Sequence, residues 1–149
     1  MVNDRSIDQV RRLERLYERY LRKIERAVAN EDFGVADTRV LHELGFAEGG
    51  VSGAWLAAQL DLDAAQVCRV LKKLEAYGLV LVRDSRGDRR MKDWELTRHG
   101  RDFADSIERQ YRERACRALM ALRPGEMREL VAAAAVVERL LRQMAAGAR

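Results

Sequence analysis

The chain has 149 residues, enough for one domain with helical extensions, and its 48% apolar and 35% charged residues suit a helical protein with heavily charged outer faces. Two cysteines, Cys68 and Cys116, exclude a disulfide framework and fit a reducing cytoplasm, Met1-Val-Asn-Asp-Arg5 is not the start of a secretory signal, and no apolar run has the length of a membrane span. The net charge is +4, and ten Lys/Arg against six Asp/Glu between Asp63 and Arg101 place the whole excess there, which favours an anionic partner, nucleic acid first.

In chain order, Ile7, Val10, Leu13, Tyr17, Tyr20, Leu21, Ile24 and Val28 recur at steps of three and four, with Arg and Glu between them. This spacing predicts a long first helix whose single apolar stripe needs a partner. Asn30-Glu-Asp-Phe-Gly34 interrupts it, and a short helix is expected over Asp37 to Leu44, with Val40, Leu41 and Leu44 facing inward. Glu48-Gly49-Gly50 reads as a turn, and Ser52 as the cap of a helix from Gly53 to Leu60. Leu62-Asp63 turns the chain into another helix, capped by Asp63, running to about Tyr77 and stopped by Gly78.

The next stretch is of strand type. Leu79-Val-Leu-Val-Arg83 is an apolar run of strand length, Arg86-Gly87 makes a turn, and Met91, Trp94 and Leu96 intersperse with Lys92, Asp93 and Glu95. A two-stranded ribbon is not stable alone, so it must lean on the helices before it. Thr97 caps a helix from about Arg98 to Leu122 with Phe103, Ile107, Tyr111, Ala115, Leu119 and Leu122 on one stripe. Pro124 sits in the first turn of the last helix, where Met127, Leu130, Val131, Ala134, Val137, Leu141 and Met144 recur at heptad-like steps. The expected fold is mostly α with a small β-ribbon. Two short helices joined by a tight turn and followed by a ribbon describe a winged helix-turn-helix.

At this point the chain resembles the MarR family of bacterial transcription regulators over nearly its whole length. The most specific elements are Asp88 and Arg90 in the turn, followed by Leu96-Thr97 and Gly100; Leu56-Ala57, Leu60, Leu62-Asp63, Val67, Arg69, Leu71, Leu74-Glu75 and Gly78-Leu79 supply the rest. The resemblance implies one MarR-like domain over 1–149, with dimerisation helices at 5–30 and 98–146 and a DNA-binding lobe at 37–97. It also implies a homodimer on a pseudo-palindromic double-stranded operator, acting as a repressor relieved by a small aromatic effector. The segment from Val10 to Tyr20, with Thr38-Arg-Val-Leu-His-Glu-Leu44, is also similar to the regulator half of MarR–acetyltransferase fusions.

On the helix after Asp63, the spacing puts Val67, Val70, Leu71 and Leu74 inward and Ala65, Arg69, Lys72 and Ala76 outward, with Gln66, Cys68 and Lys73 flanking. Arg69 can bond guanine bidentately and Gln66 can read adenine, while Lys72 and Lys73 suit phosphates; the bland alternative is a solvated basic face. Ala64 and Ala65 depart from the Ser/Thr usual in the family and offer a thymine only a methyl contact. In the wing the resemblance implies that Arg90 enters the minor groove while Asp88 orients it, with Arg86 and Arg89 near phosphates; a turn-stabilising Asp88–Arg90 ion pair is compatible with that role. Trp55 could line an effector pocket with Tyr17, Tyr20 or His42, or these rings simply pack.

No metal site is expected from His42 and His99, which sit in separate elements, and Cys68 reads as a passive small residue rather than an oxidation sensor. No phosphate loop, nucleophile motif or isolated carboxylate pair points to catalysis or a cofactor. A protein-interaction module built on the winged fold is the alternative, disfavoured by the arginines at Arg83, Arg86, Arg89 and Arg90.

Overall fold

A computed structural model describes residues 3–85 and 91–147, which divide into two compact units after Tyr111. In the first unit, α1 (Asp4–Val28) is capped by Asn3, whose side chain accepts the Ser6 amide at 2.9 Å. Of its apolar stripe, only Val28 is buried and Ile24 half-buried, whereas Ile7, Val10, Leu13, Tyr17, Tyr20 and Leu21 are exposed. The break after α1 is built by Asn30, whose Oδ1 accepts the amides of Asp32 and Phe33. Helix α2 (Val35–Phe46) begins two residues before the expected start, because Asp37 lies in its first turn and reaches back to the Gly34 amide at 2.9 Å.

A two-residue strand, β1 (Val51–Ser52), precedes α3 (Gly53–Leu60), and Ser52 Oγ accepts the Trp55 amide as expected of a cap. Asp61 then takes a left-handed conformation (φ 51°), which turns the chain into α4 (Ala64–Ala76) under the Asp63 cap. Helix α4 ends in a Schellman motif: Gly78 lies at φ 68°, the Leu79 amide donates to Leu74 O, and the Gly78 amide to Glu75 O. Strands β2 (Val80–Asp84) and β3 (Lys92–Leu96) pair antiparallel, Val80 opposite Leu96 and Val82 opposite Trp94.

One expectation needs correction: the ribbon is a three-stranded sheet of order β1-β3-β2, with Val51 opposite Trp94. Two residues are too few to show an alternation in sequence. The sign was Gly50, where a Cβ would lie 2.9 Å from Asp93 Cβ, so only glycine lets the two backbones close up.

One cluster fills the first unit. Val40, Leu41 and Leu44 of α2 meet Leu56 and Leu60 of α3, Val67, Val70, Leu71 and Leu74 of α4, and Leu79, Val80 and Leu96 of the sheet. Helix α5 (Arg98–Met120) adds Ala104 and Ile107.

The start of α5 is fastened to the end of α4 by one compact junction. Thr97 Oγ1 donates to Gly78 O at 2.7 Å and accepts the Gly100 amide at 2.9 Å, while the Thr97 amide donates to Leu79 O at 3.0 Å. Gly100 rests directly on that carbonyl, since a Cβ there would stand 1.8 Å from Leu79 O. The spacing Leu96-Thr97-x-x-Gly100 is therefore a packing requirement.

The second unit holds the last turns of α5 and α6 (Pro124–Gly147). Helix α5 stops at Met120, two residues short of the expected Leu122, in a turn closed by the Leu122 amide on Leu119 O. Glu126 accepts the Arg123 amide at 2.9 Å and its guanidinium at 2.5 Å, and this bond holds the Glu126 carboxyl below its ordinary range. On α6 the apolar residues Met127, Leu130, Val131, Val137, Leu141 and Met144 are all exposed. No helix of the described residues is long and apolar enough to cross a membrane.

Gly100→Ala should force the α4–α5 junction apart and cost about 3 kcal/mol, at the upper end for an overpacked site, lowering the thermal midpoint by roughly 6–12 °C. A midpoint equal to or above wild type, the usual result of Gly→Ala in a helix, would contradict the close approach.

Candidate nucleic-acid interface

Helix α4 has two distinct sides. Val67, Val70, Leu71 and Leu74 are buried, as expected, while Ala65, Cys68, Arg69, Lys72 and Ala76 are exposed and Gln66 is half-buried at the margin. Arg69 and Lys72 form no ion pair among the described residues, so both cations project from a rigidly held helix into solvent. The amide end of this helix is blocked by Asp63, which accepts the Gln66 amide at 2.7 Å.

Lys73 has a different occupation from the phosphate contact expected of it. Its ammonium donates to Asp37 Oδ2 at 2.6 Å and stands 5.3 Å from the centre of the Phe33 ring. Asp37 is almost buried, so its charge requires this partner. Phe33 in turn packs against Tyr77 and Phe103, both with ring centres 5.0 Å away. Asp37 and Phe33 carry no sign of this contact in the sequence: an acidic residue stands in the first turn of α2, but its partner lies 36 positions away.

In the wing, Arg83 donates to Glu95 at 3.1 Å and Lys92 pairs with Asp84, so both strand cations are neutralised across the ribbon. The ladder continues outward through the Ser85 amide to Met91 O at 3.0 Å. Arg86, Asp88, Arg89 and Arg90 lie outside the described residues.

The aromatic residues expected around an effector do not converge in the chain. Tyr17 and Tyr20 are exposed on α1, and Trp55, on α3, is 38% exposed. His42 belongs to another cluster: its Nε2 lies 2.8 Å from Glu108, and its ring packs on Phe46 at 4.8 Å and Tyr111 at 4.9 Å. Burial raises the Tyr111 hydroxyl above its ordinary pKa, and the nearby Glu25 carboxylate adds to this against the opposing Arg39. Arg39 links three elements here, pairing with Glu25 of α1 at 3.5 Å and donating to Leu60 O at the end of α3 at 3.0 Å. A shallow depression on α6, lined by Ala135, Glu138, Arg139, Arg142, Gln143 and Ala146, contains none of these residues. Among the described residues, no three His, Cys, Asp or Glu side chains gather as a metal site would require.

Residues 31–91 match the sequence model of the MarR family. No curated protein sequence matches the chain. Among solved structures, Rv1404 from Mycobacterium tuberculosis superposes with a TM-score of 0.76 at 22% identity, over 91% of this chain and 93% of that one. A point mutant of MepR from S. aureus, solved bound to an oligodeoxyribonucleotide, gives 0.57 at 17% identity over 87% and 97%. The PcaV transcriptional regulator from Streptomyces coelicolor, solved with its natural ligand, gives 0.63 at 21% identity over 92% of each chain. At these identities the likeness establishes the fold.

The raised Tyr111 pKa sets the sign of an alkaline effect. The fold favours the neutral phenol, so this stability is intact below about pH 10 and is lost as pH climbs through the raised value. Urea midpoints at pH 9 and pH 11 should fall less for Tyr111→Phe than for wild type; equal losses would rule out the phenol as a source.

Proposed function

We propose, from the match of residues 31–91 to the MarR family model, that the chain is a homodimeric, sequence-specific DNA-binding regulator. The observation that carries this reading is the outer face of α4, where Arg69 and Lys72 stand exposed over a helix locked into the core by Val67, Val70, Leu71 and Leu74. A helix held in this way can enter a major groove without ordering cost. Arg69 then bonds guanine O6 and N7, Gln66 reads adenine at the margin, Ala65 touches a thymine methyl, and Lys72 meets a phosphate. At the wing, Arg90 enters the minor groove with Asp88 orienting it, while Arg86 and Arg89 meet phosphates.

The proposed dimer uses the apolar stripes of α1 and α6. Leu13, Leu16 and Tyr17 on the former and Val131, Leu140 and Leu141 on the latter are exposed, and apolar stripes left exposed on a helix mark association surfaces. Two-fold symmetry gives two copies of α4, to be set one helical turn of DNA apart. The regulator is proposed to act as a repressor in the cytoplasm, released by a small aromatic effector, with Tyr17, Tyr20, His42 and Trp55 as the residues to probe. The PcaV neighbour, solved with its natural ligand, supports that part.

Electrophoretic shifts with operator-containing fragments at several salt concentrations test the proposal. Log affinity should fall linearly with log salt at about −0.9 per phosphate contact. Arg69→Ala should cost about 1–3 kcal/mol, a loss of roughly 5- to 150-fold on the operator. Arg90→Ala should weaken binding by about tenfold or more without unfolding the protein, as the loss of a minor-groove arginine would. No shift, or an affinity indifferent to salt, would instead assign the fold to protein interaction.

A further inference from the structure

We infer that Lys73 is a positioning residue that sets the rotation of α4 about its own axis, and not a DNA contact; the inference rests on the DNA-binding reading above. Its position on the helix makes the question pointed. Gln66 and Lys73, seven residues apart, share one flank of α4, with Arg69 about 40° further round. A lysine on that flank could turn outward to a phosphate or inward to the fold.

The geometry points inward. A single oxygen, Asp37 Oδ2, accepts both the Lys73 ammonium at 2.6 Å and the Gly34 amide at 2.9 Å, so one carboxylate joins the start of α2 to the side of α4. The Asp37 side chain is only 10% exposed. The Lys73 side chain is 38% exposed, but releasing it to a phosphate would leave the buried carboxylate with the Gly34 amide and no counter-ion among the described residues. The same ammonium lies over Phe33, and Tyr77 at the end of α4 meets the Phe33 ring edge-on. Two points on α4, at Lys73 and Tyr77, are thus tied to one aromatic ring and one carboxylate. The buried stripe fixes how deep the helix sits; these ties on its flank fix how far it is turned, and so where Arg69 and Gln66 meet the bases.

The test compares operator and non-specific duplex DNA in fluorescence-anisotropy titrations over a salt series, well below the thermal midpoint of each variant. Lys73→Met keeps the stem and removes the charge; Asp37→Asn keeps the volume and leaves Lys73 at liberty. For a positioning residue, both variants lose operator affinity by about tenfold, the order of one lost bidentate base contact, and the double variant loses no more than either alone. Non-specific affinity and the salt slope stay at wild-type values. A phosphate contact predicts the opposite pattern: Lys73→Met shallows the slope by about 0.9 and weakens both DNAs equally, and Asp37→Asn leaves binding intact or tightens it. Either that pattern, or a lowered thermal midpoint with operator affinity unchanged, overturns the inference. Because Asp37→Asn separates the two cases by itself, the test survives a poorly folded Lys73→Met. Wild-type protein that binds no DNA overturns the parent reading and this one with it, and that outcome is visible before any variant is made.

Discussion

Four elements of the first unit, α4, β2, β3 and α5, meet at the carbonyl pair of Gly78 and Leu79. These carbonyls lie between α4 and β2, and Thr97, between β3 and α5, bonds to both of them, through its hydroxyl to Gly78 O and through its amide to Leu79 O. Gly100 then lies against the second with no room for a side chain. Four elements are thereby fixed to one another within a few ångströms by polar contacts that tolerate little slack. The hydrophobic core alone would hold them at the right distance but not in the right register, because burial has no direction. The proposed reading helix and the proposed wing have a fixed relation because both are anchored at this point.

From that anchor, α4 is held along its length by contacts of different kinds. Its start is fixed by the Asp63 cap, its inner face by leucine and valine packing, its end by the left-handed Gly78, and its flank by Asp37 and Phe33. Adjacent lysines on this helix illustrate the division of labour: Lys72 is exposed, and Lys73 is bound into the fold. Charge count alone treats the two alike, whereas their surroundings differ: Lys73 is paired with Asp37 and Lys72 is exposed. The wing shows the same economy, since Arg83 and Lys92 are neutralised by Glu95 and Asp84 on the ribbon.

Much of the fold was legible in the sequence because it follows from short-range rules. Ser52, Asp63 and Thr97 cap the helices they were expected to cap, and Gly78 stops α4 through a positive φ that few other residues adopt. The inward stripe of α4 was readable from a period of 3.6. What escaped was non-local or too short for a period. Strand β1 has two residues, and its evidence is a close approach to a strand far along the chain. The Asp37–Lys73 and His42–Glu108 pairs join residues 36 and 66 positions apart. The exposure of Arg69 and Lys72 was legible in the helical period, but the direction of Lys73 was not, since it depends on a partner that sequence spacing cannot locate. The expected grouping of Tyr17, Tyr20, His42 and Trp55 did not materialise within the chain, because His42 is already occupied by Phe46, Tyr111 and Glu108.

The central claim is that two copies of this rigidly held α4 read one operator together. Hydroxyl-radical footprinting of a bound operator fragment tests it most directly. A dimer of this kind should give two protected half-sites on one face of the duplex, with centres about 10–10.5 base pairs apart or a multiple of that, and flanking minor-groove protection from the wings. Protection of one isolated half-site, or a diffuse footprint with no helical phase, would contradict it.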